Sequence, residues 1–209
     1  MFANLPRDVK GPIVIVEPSD NIGGGGPGDT TGLLRALLKY RIENAAVVIN
    51  DPEAAAALSR IDIGERMRLP IGGKGSSFDE GPVPLEVELL FRSDGHFQLE
   101  DKQSHLASIS GTSINMGPCA TVRHGGIRIL LTSRRTPPFD LGQLRSQGIV
   151  PETLSVIGVK AAVAHRRAYD PIAGVMLWVD TPGPCSSNLR AFPYRKIRRP
   201  IYPLDPETY

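Results

Sequence analysis

The residues best suited to chemistry lie in one loop, PSDNIGGGGPGDTT, between Pro18 and Thr31. Asp20, Asn21, Asp29 and Thr30 supply carboxylate, amide and hydroxyl groups there. Gly24, Gly25 and Gly26 add backbone N–H groups with no side chain to obstruct a ligand. Four successive glycines exceed what a turn requires, so the loop reads as a ligand-contacting element. A structural turn whose Asp and Thr cap the next helix is the alternative. Gly23, Gly25 and Gly28 fit the dinucleotide spacing G-x-G-x-x-G, and Asp51 stands roughly where a ribose-binding acid belongs. Two details weigh against that fit. Pro18 to Ile22 separate the strand from the first glycine, and the loop carries Asp20 and Asp29 but no cation for a pyrophosphate. A phosphate-binding loop of the G-x-x-x-x-G-K type fails outright, because Asp29-Thr30 follow Gly28 where Lys-Ser or Lys-Thr is needed.

Other candidates are less distinct. KAAVAHRRAYDP places Lys160 and His165 after a predicted strand, and ligand-facing and packing roles stay open for both. DTPGPCSSN (Asp180 to Asn188) is a further polar loop after a strand, with Ser186 and Ser187 as hydroxyl donors. GGK at Gly72 to Lys74 reads as a turn with a solvated lysine. His96, His105, His124 and His165 have no carboxylate or cysteine partner at a metal-ligand spacing. Cys119 and Cys185 make neither a zinc spacing nor a disulfide framework. No catalytic residue and no metal ligand is therefore assigned within this chain.

Several elements must position these groups. PIVIVE (Pro12 to Glu17) is a buried strand. Leucines at 33, 34, 37 and 38 give one apolar face to a helix over Thr31 to Ile42, with Asp29 or Thr30 as its N-cap. Asn44 to Asn50 is a second buried strand, and Pro52 opens a second helix. This strand-loop-helix-strand opening argues for a parallel pair with a right-handed crossover. The middle reads as antiparallel strands, Met67 to Ile71, Val83 to Arg92, Ala107 to Ile114, Ala120 to Arg123 and Ile127 to Thr132, with HGG as a hairpin turn. The ending returns to α/β: helices near Asp140 to Gln147 and Val163 to Tyr169, strands Leu154 to Lys160 and Val175 to Asp180. The fold class is thus mixed α/β. A single domain spans residues 1–209, with a leader at 1–10 and an extended, basic, proline-punctuated tail at 190–209.

Composition bounds the function. The 209 residues carry 24 Lys+Arg against 22 Asp+Glu, a formal charge of +2, which gives no footprint for nucleic acid or an anionic membrane. The 22 glycines and 19 prolines, about a fifth of the chain, demand many shaped turns. No apolar run approaches the roughly 18 residues of a membrane span, and no signal peptide is evident. A cytoplasmic protein is expected.

Taken in order, SDNIGGGGPGDTTGLLRALL, the IGGK turn, MGPCATVRHGGIRILLTSRR, KAAVAHRRAYDPIA, VDTPGPCSSN and RRPIYPLDP resemble the C-terminal half of the microcystinase C (MlrC) family of metallopeptidases. The resemblance runs from about Gly11 to Pro206. Ile22 replaces a common proline, and Glu17 a usual aspartate. It implies a chain about half the length of family members, lacking an N-terminal half that carries zinc. By the same resemblance, this half packs against the metal half, in cis or in trans; an exposed apolar docking face would also predict pairing of the chain with its own copy as a homo-oligomer. It would line a cleft for a peptide or small acidic substrate, contacting it through Asp20, Asn21, Gly24, Gly25, Gly26, Asp29, Thr30, Lys160, His165 and Ser187. Without zinc, such a chain has no activated water and is not expected to hydrolyse peptides alone. A standalone module for a small ligand or peptide, and a nucleotide-binding domain using Gly23 to Gly28, are the competing expectations.

Overall fold

A computed structural model describes residues 5, 6 and 8–205. Its main sheet has eight strands: β1 (Ile13–Val16), β2 (Ala45–Asn50), β3 (Arg66–Ile71), β4 (Val83–Ser93), β7 (Cys119–His124), β8 (Ile127–Thr132), β9 (Val156–Val159) and β10 (Val175–Trp178). They lie in the order β10-β1-β9-β2-β8-β7-β4-β3. Strands β10, β1, β9, β2 and β8 pair in parallel. From β8 onward the pairing is antiparallel through β7, β4 and β3. The mixed α/β class holds. The opening differs in one respect: β9 stands between β1 and β2, so the two are not a direct pair.

The apolar runs are explained by burial on both faces, which is normal for parallel strands. Ile13, Ile15, Val47 and Ile49 face α1 (Gly32–Lys39) and α2 (Pro52–Leu58), packing against Leu33, Leu34, Leu37 and Leu58. Val14, Val16, Val48 and Ile157 face the other way, onto Leu106, Leu144 and Tyr169. Those residues come from α3 (His105–Ser110), α4 (Gly142–Arg145) and α5 (Arg166–Tyr169). A small sheet of β5 (His96–Gln98) and β6 (Ser113–Asn115) covers the same side.

The Ala107 to Ile114 strand expected from sequence is corrected: its first half, Ala107 to Ser110, belongs to α3, and strand begins only at β6, Ser113–Asn115. Ser104 explains the change, since its hydroxyl accepts the Ala107 N–H at 3.1 Å and nucleates a helical turn. The HGG hairpin forms as expected, with His124 opposite Ile127. In the tail, residues 190–205 are mostly exposed turns, and Phe192 lies edge-on to Phe78 at 5.6 Å. Much of the predicted leader and the last four residues of the tail lie outside the described residues.

Candidate functional site

The carboxyl ends of β1, β2 and β9 converge on the glycine loop. Glu17 follows β1, Asp20 lies in the turn after it, and Lys160 follows β9. All three are buried: Lys160 is 2% exposed, and Glu17 and Asp20 are 0%. The Lys160 ammonium donates to Glu17 Oε2 at 2.6 Å and to the carbonyl and hydroxyl oxygens of Thr30 at 2.7 and 2.8 Å, and it lies 3.0 Å from Asp20 Oδ2. Asp20 also accepts from the Gly28 N–H at 2.7 Å, the Thr30 N–H at 2.8 Å and the Thr30 hydroxyl at 2.9 Å. Glu17 Oε1 accepts from the Leu33 N–H at 3.1 Å and the Thr181 hydroxyl at 2.8 Å. Burial alone would push the lysine pKa down, but Glu17 and Asp20 outweigh it and hold the pKa above its ordinary value. Two carboxylates and one ammonium are tolerable here because backbone N–H groups share the remaining negative charge.

This cluster corrects the expected helix cap. The N-cap of α1 is Thr31, whose N–H and hydroxyl both donate to Asp79 at 2.8 and 2.9 Å. The α1 N-terminus is satisfied in part by Glu17 from the neighbouring strand rather than by Asp29 or Thr30. Thr30 instead ties Asp20 to Lys160.

The glycines form a tight loop in which much of the backbone is already bonded. The N–H groups of Gly24 and Gly26 donate to the Asn21 carbonyl at 3.0 and 2.9 Å, and that of Gly25 to Ile22 at 3.1 Å. Gly25 has φ 95° and Gly28 φ 76°, conformations that favour glycine. A Cβ on Gly26 would come within 2.9 Å of the Asp20 backbone. Donors spent in this way are unavailable to cradle a phosphate, which disfavours the nucleotide reading. Asp51 is engaged too. It caps α2 through the Ala54 N–H at 3.0 Å, accepts from the Gly72 N–H at 2.8 Å and pairs with Lys74 at 2.8 Å.

The candidate residues therefore separate. Asp20, Thr30 and Lys160 form the buried cluster. Asn21, Gly24 and Gly25 lie at the surface or half-buried, while Gly26 is buried. The loop after β10 packs beside them: the Cys185 N–H donates to the Ser19 carbonyl at 2.8 Å, and Ser187 is exposed. Asp29 turns to another loop and accepts from the N–H groups of Lys74 and Gly75. His165 is fully buried, 6.3 Å from the ring centroids of both Tyr169 and Trp178. Neither of its ring nitrogens has a partner among the described residues, and burial lowers its pKa.

Sequence reasoning missed Glu17 and Asp79 as anchors and read Lys74 as solvated. The position of Glu17 at the tip of a buried strand was the available signal. Nothing local marked Asp79, which reaches Thr31 from 48 positions away. A cavity of about 390 Å³ at the ends of β2 and β8 is lined in part by Asp29, Asp51, Lys74 and Arg135.

A family model described as "MlrC C-terminus" matches residues 15–196. Over 196 residues the chain is 23% identical to "Microcystinase C" of Sphingomonas sp, covering 93% of this chain and 36% of that protein. A crystal structure named "Putative metallopeptidase" from Mesorhizobium sp. BNC1 has a TM-score of 0.81 at 21% identity, over 95% of this chain and 39% of that one. At that identity the structural likeness speaks for the fold. The chain spans little more than a third of each relative, a smaller share than the half implied by the resemblance.

Proposed function

The chain belongs to the MlrC C-terminal family, and from that premise we propose that it is the substrate-facing part of a metallopeptidase-like hydrolase. In this reading the zinc sits on a separate N-terminal part, joined in cis or supplied in trans. The observation that carries the reading is the family match over most of this chain, set against 36% coverage of Microcystinase C.

The residues present do not fit a zinc ion. Among the described residues no three His, Cys, Asp or Glu side chains converge to hold one. No hydrolytic step is therefore drawn through this chain. Its own contribution would be to bind and orient: the Glu17–Asp20–Thr30–Lys160 cluster fixes the loop, the glycines leave room beside it, and the side chains of Asn21 and Ser187 offer donors at its rim. Fixed donors of this kind align a peptide carbonyl for attack by a water activated elsewhere. Edge strand β10, with Trp178 half exposed, offers a surface for the zinc-bearing part or a second copy. Among the described residues no helix is long and apolar enough to cross a membrane. The reading places the protein in the cytoplasm, where the unpaired Cys119 and Cys185 would remain reduced.

The test is metal content by mass spectrometry with a peptidase assay, on the purified chain alone and mixed with the N-terminal part of a longer relative. The expected result is no stoichiometric zinc and no hydrolysis alone, with activity or complex formation on mixing. About one zinc per chain with activity would overturn the division of labour.

A further inference from the structure

The cavity at the carboxyl ends of β2 and β8 is lined by two groups of opposite sign that lack a protein partner among the described residues, one a buried carboxylate oxygen and the other an exposed guanidinium. Asp29 is 4% exposed, and its Oδ2 accepts from the N–H groups of Lys74 at 2.7 Å and Gly75 at 2.6 Å. Its Oδ1 has no partner among the described residues. A Cβ on Gly75 would lie 3.1 Å from that Oδ1 and 2.7 Å from the Cβ of Pro27. Pro27 and Gly75 both line the cavity, so the missing side chain at position 75 keeps the approach to Asp29 open. Arg135, on the same lining, is exposed and makes no hydrogen bond or ion pair among the described residues. The nearby acids are already taken: Lys74 pairs with Asp51 at 2.8 Å and Glu53 at 3.1 Å. The Asn50 amide nitrogen also lacks an acceptor among the described residues, while its Oδ1 accepts from Thr132 at 3.4 Å.

The chemistry of the lining narrows the ligand. A metal cation would meet the Lys74 ammonium and the Arg135 guanidinium. A phosphate dianion would set two negative charges against the carboxylates of Asp29, Asp51 and Glu53 and bring no N–H for Asp29. A group that satisfies both orphans needs a carboxylate for the guanidinium and an N–H for Asp29 Oδ1. An amino-acid residue carries both. At about 390 Å³ the cavity falls within the range of small-molecule sites. Burial also raises the Asp29 pKa against the pull of its two N–H partners, as expected for a carboxyl short of one donor.

We propose that this cavity binds a carboxylate-bearing residue of a peptide, with Arg135 and Asn50 taking the carboxylate and Asp29 Oδ1 accepting an N–H of the same residue. The proposal deepens the functional reading above by naming the substrate class, and it rests on that reading only for its catalytic setting. Binding is measured on this chain alone, without metal or hydrolysis, so either idea can fail while the other stands.

Isothermal titration with three probes tests it. Acetyl-glutamate amide has only a side-chain carboxylate, acetyl-glutamine only a terminal one, and acetyl-glutamine amide has neither. At least one carboxylate probe is expected to bind ten times more tightly than the neutral probe, and which one does so identifies the source of the carboxylate. Arg135→Gln is expected to abolish that preference with an unchanged melting temperature, because the residue is exposed and unpaired. Asp29→Asn is expected to weaken the favoured probe by replacing an acceptor. Equal affinities for the three probes, no heat with any of them, or a preference that survives Arg135→Gln would overturn the proposal.

Discussion

Lys160 and Lys74 both hold two carboxylates brought from other parts of the chain, yet their surroundings differ. Lys160 is 2% exposed, and both of its carboxylate partners accept further bonds from backbone and hydroxyl groups. Lys74 is 26% exposed, its partner Glu53 is largely solvated, and beside it Asp29 keeps an orphan oxygen. Burial pulls both lysine pKa values down, and the neighbouring carboxylates outweigh it in each case. The comparison teaches that the same ion-pair chemistry serves two ends. Closed off from water it frames the loop, and left incomplete at a cavity it keeps groups available for a ligand.

The strongest test of this contrast is Lys160→Met, which strands Glu17 and Asp20 in the interior. It should cost about 3–5 kcal/mol of stability in urea unfolding, the usual penalty for breaking a buried pair from one side. A loss below about 1 kcal/mol would mean the cluster is not the frame described here. Asp51→Ala comes next. It removes the α2 cap, the Gly72 N–H acceptor and the Lys74 partner together, and should cost about 2 kcal/mol by the same measurement.

His165 extends the contrast to a buried group whose ring nitrogens have no hydrogen-bond partner among the described residues. Burial lowers its pKa, opposed by Asp170 and reinforced by Arg166. Below about pH 6.5 the unfolded chain therefore binds a proton that the folded chain resists. Stability should fall as pH drops from that point towards the folded pKa, and His165→Leu should flatten the fall in melting curves recorded across that window. Identical pH profiles for the two proteins would remove His165 from the acid response. The smallest effect belongs to Lys74→Met, under about 1 kcal/mol, since a partly exposed pair is screened by water. A cost as large as that of Lys160→Met would erase the distinction between the two lysines.

Part of this was readable directly. The apolar runs at Ile13–Val16 and Ala45–Asn50, the leucine face of α1 and the Gly125-Gly126 hairpin are local patterns, and they form where expected. Asp20, Thr30 and Lys160 were among the ten candidate contacts read from the sequence, but their joining into one buried cluster depends on β9 entering the sheet beside β1. The Ala107 to Ile114 segment misled because its apolar residues suit a strand, whereas a cap three residues earlier sets the local hydrogen bonding. Asp51 looked like a ribose-binding acid by spacing alone, and its three bonds became visible only when the Gly72–Lys74 turn folded over it.

Most element types, the glycine-rich run and the family membership were settled by the sequence, because each depends on short-range pattern or on residue order. Strand order, the pairing of Glu17 and Asp20 with Lys160, and the unsatisfied Asp29 beside Arg135 were decided by the tertiary structure. These depend on which distant groups share a space closed to water, and only there does a missing hydrogen bond carry an energetic meaning.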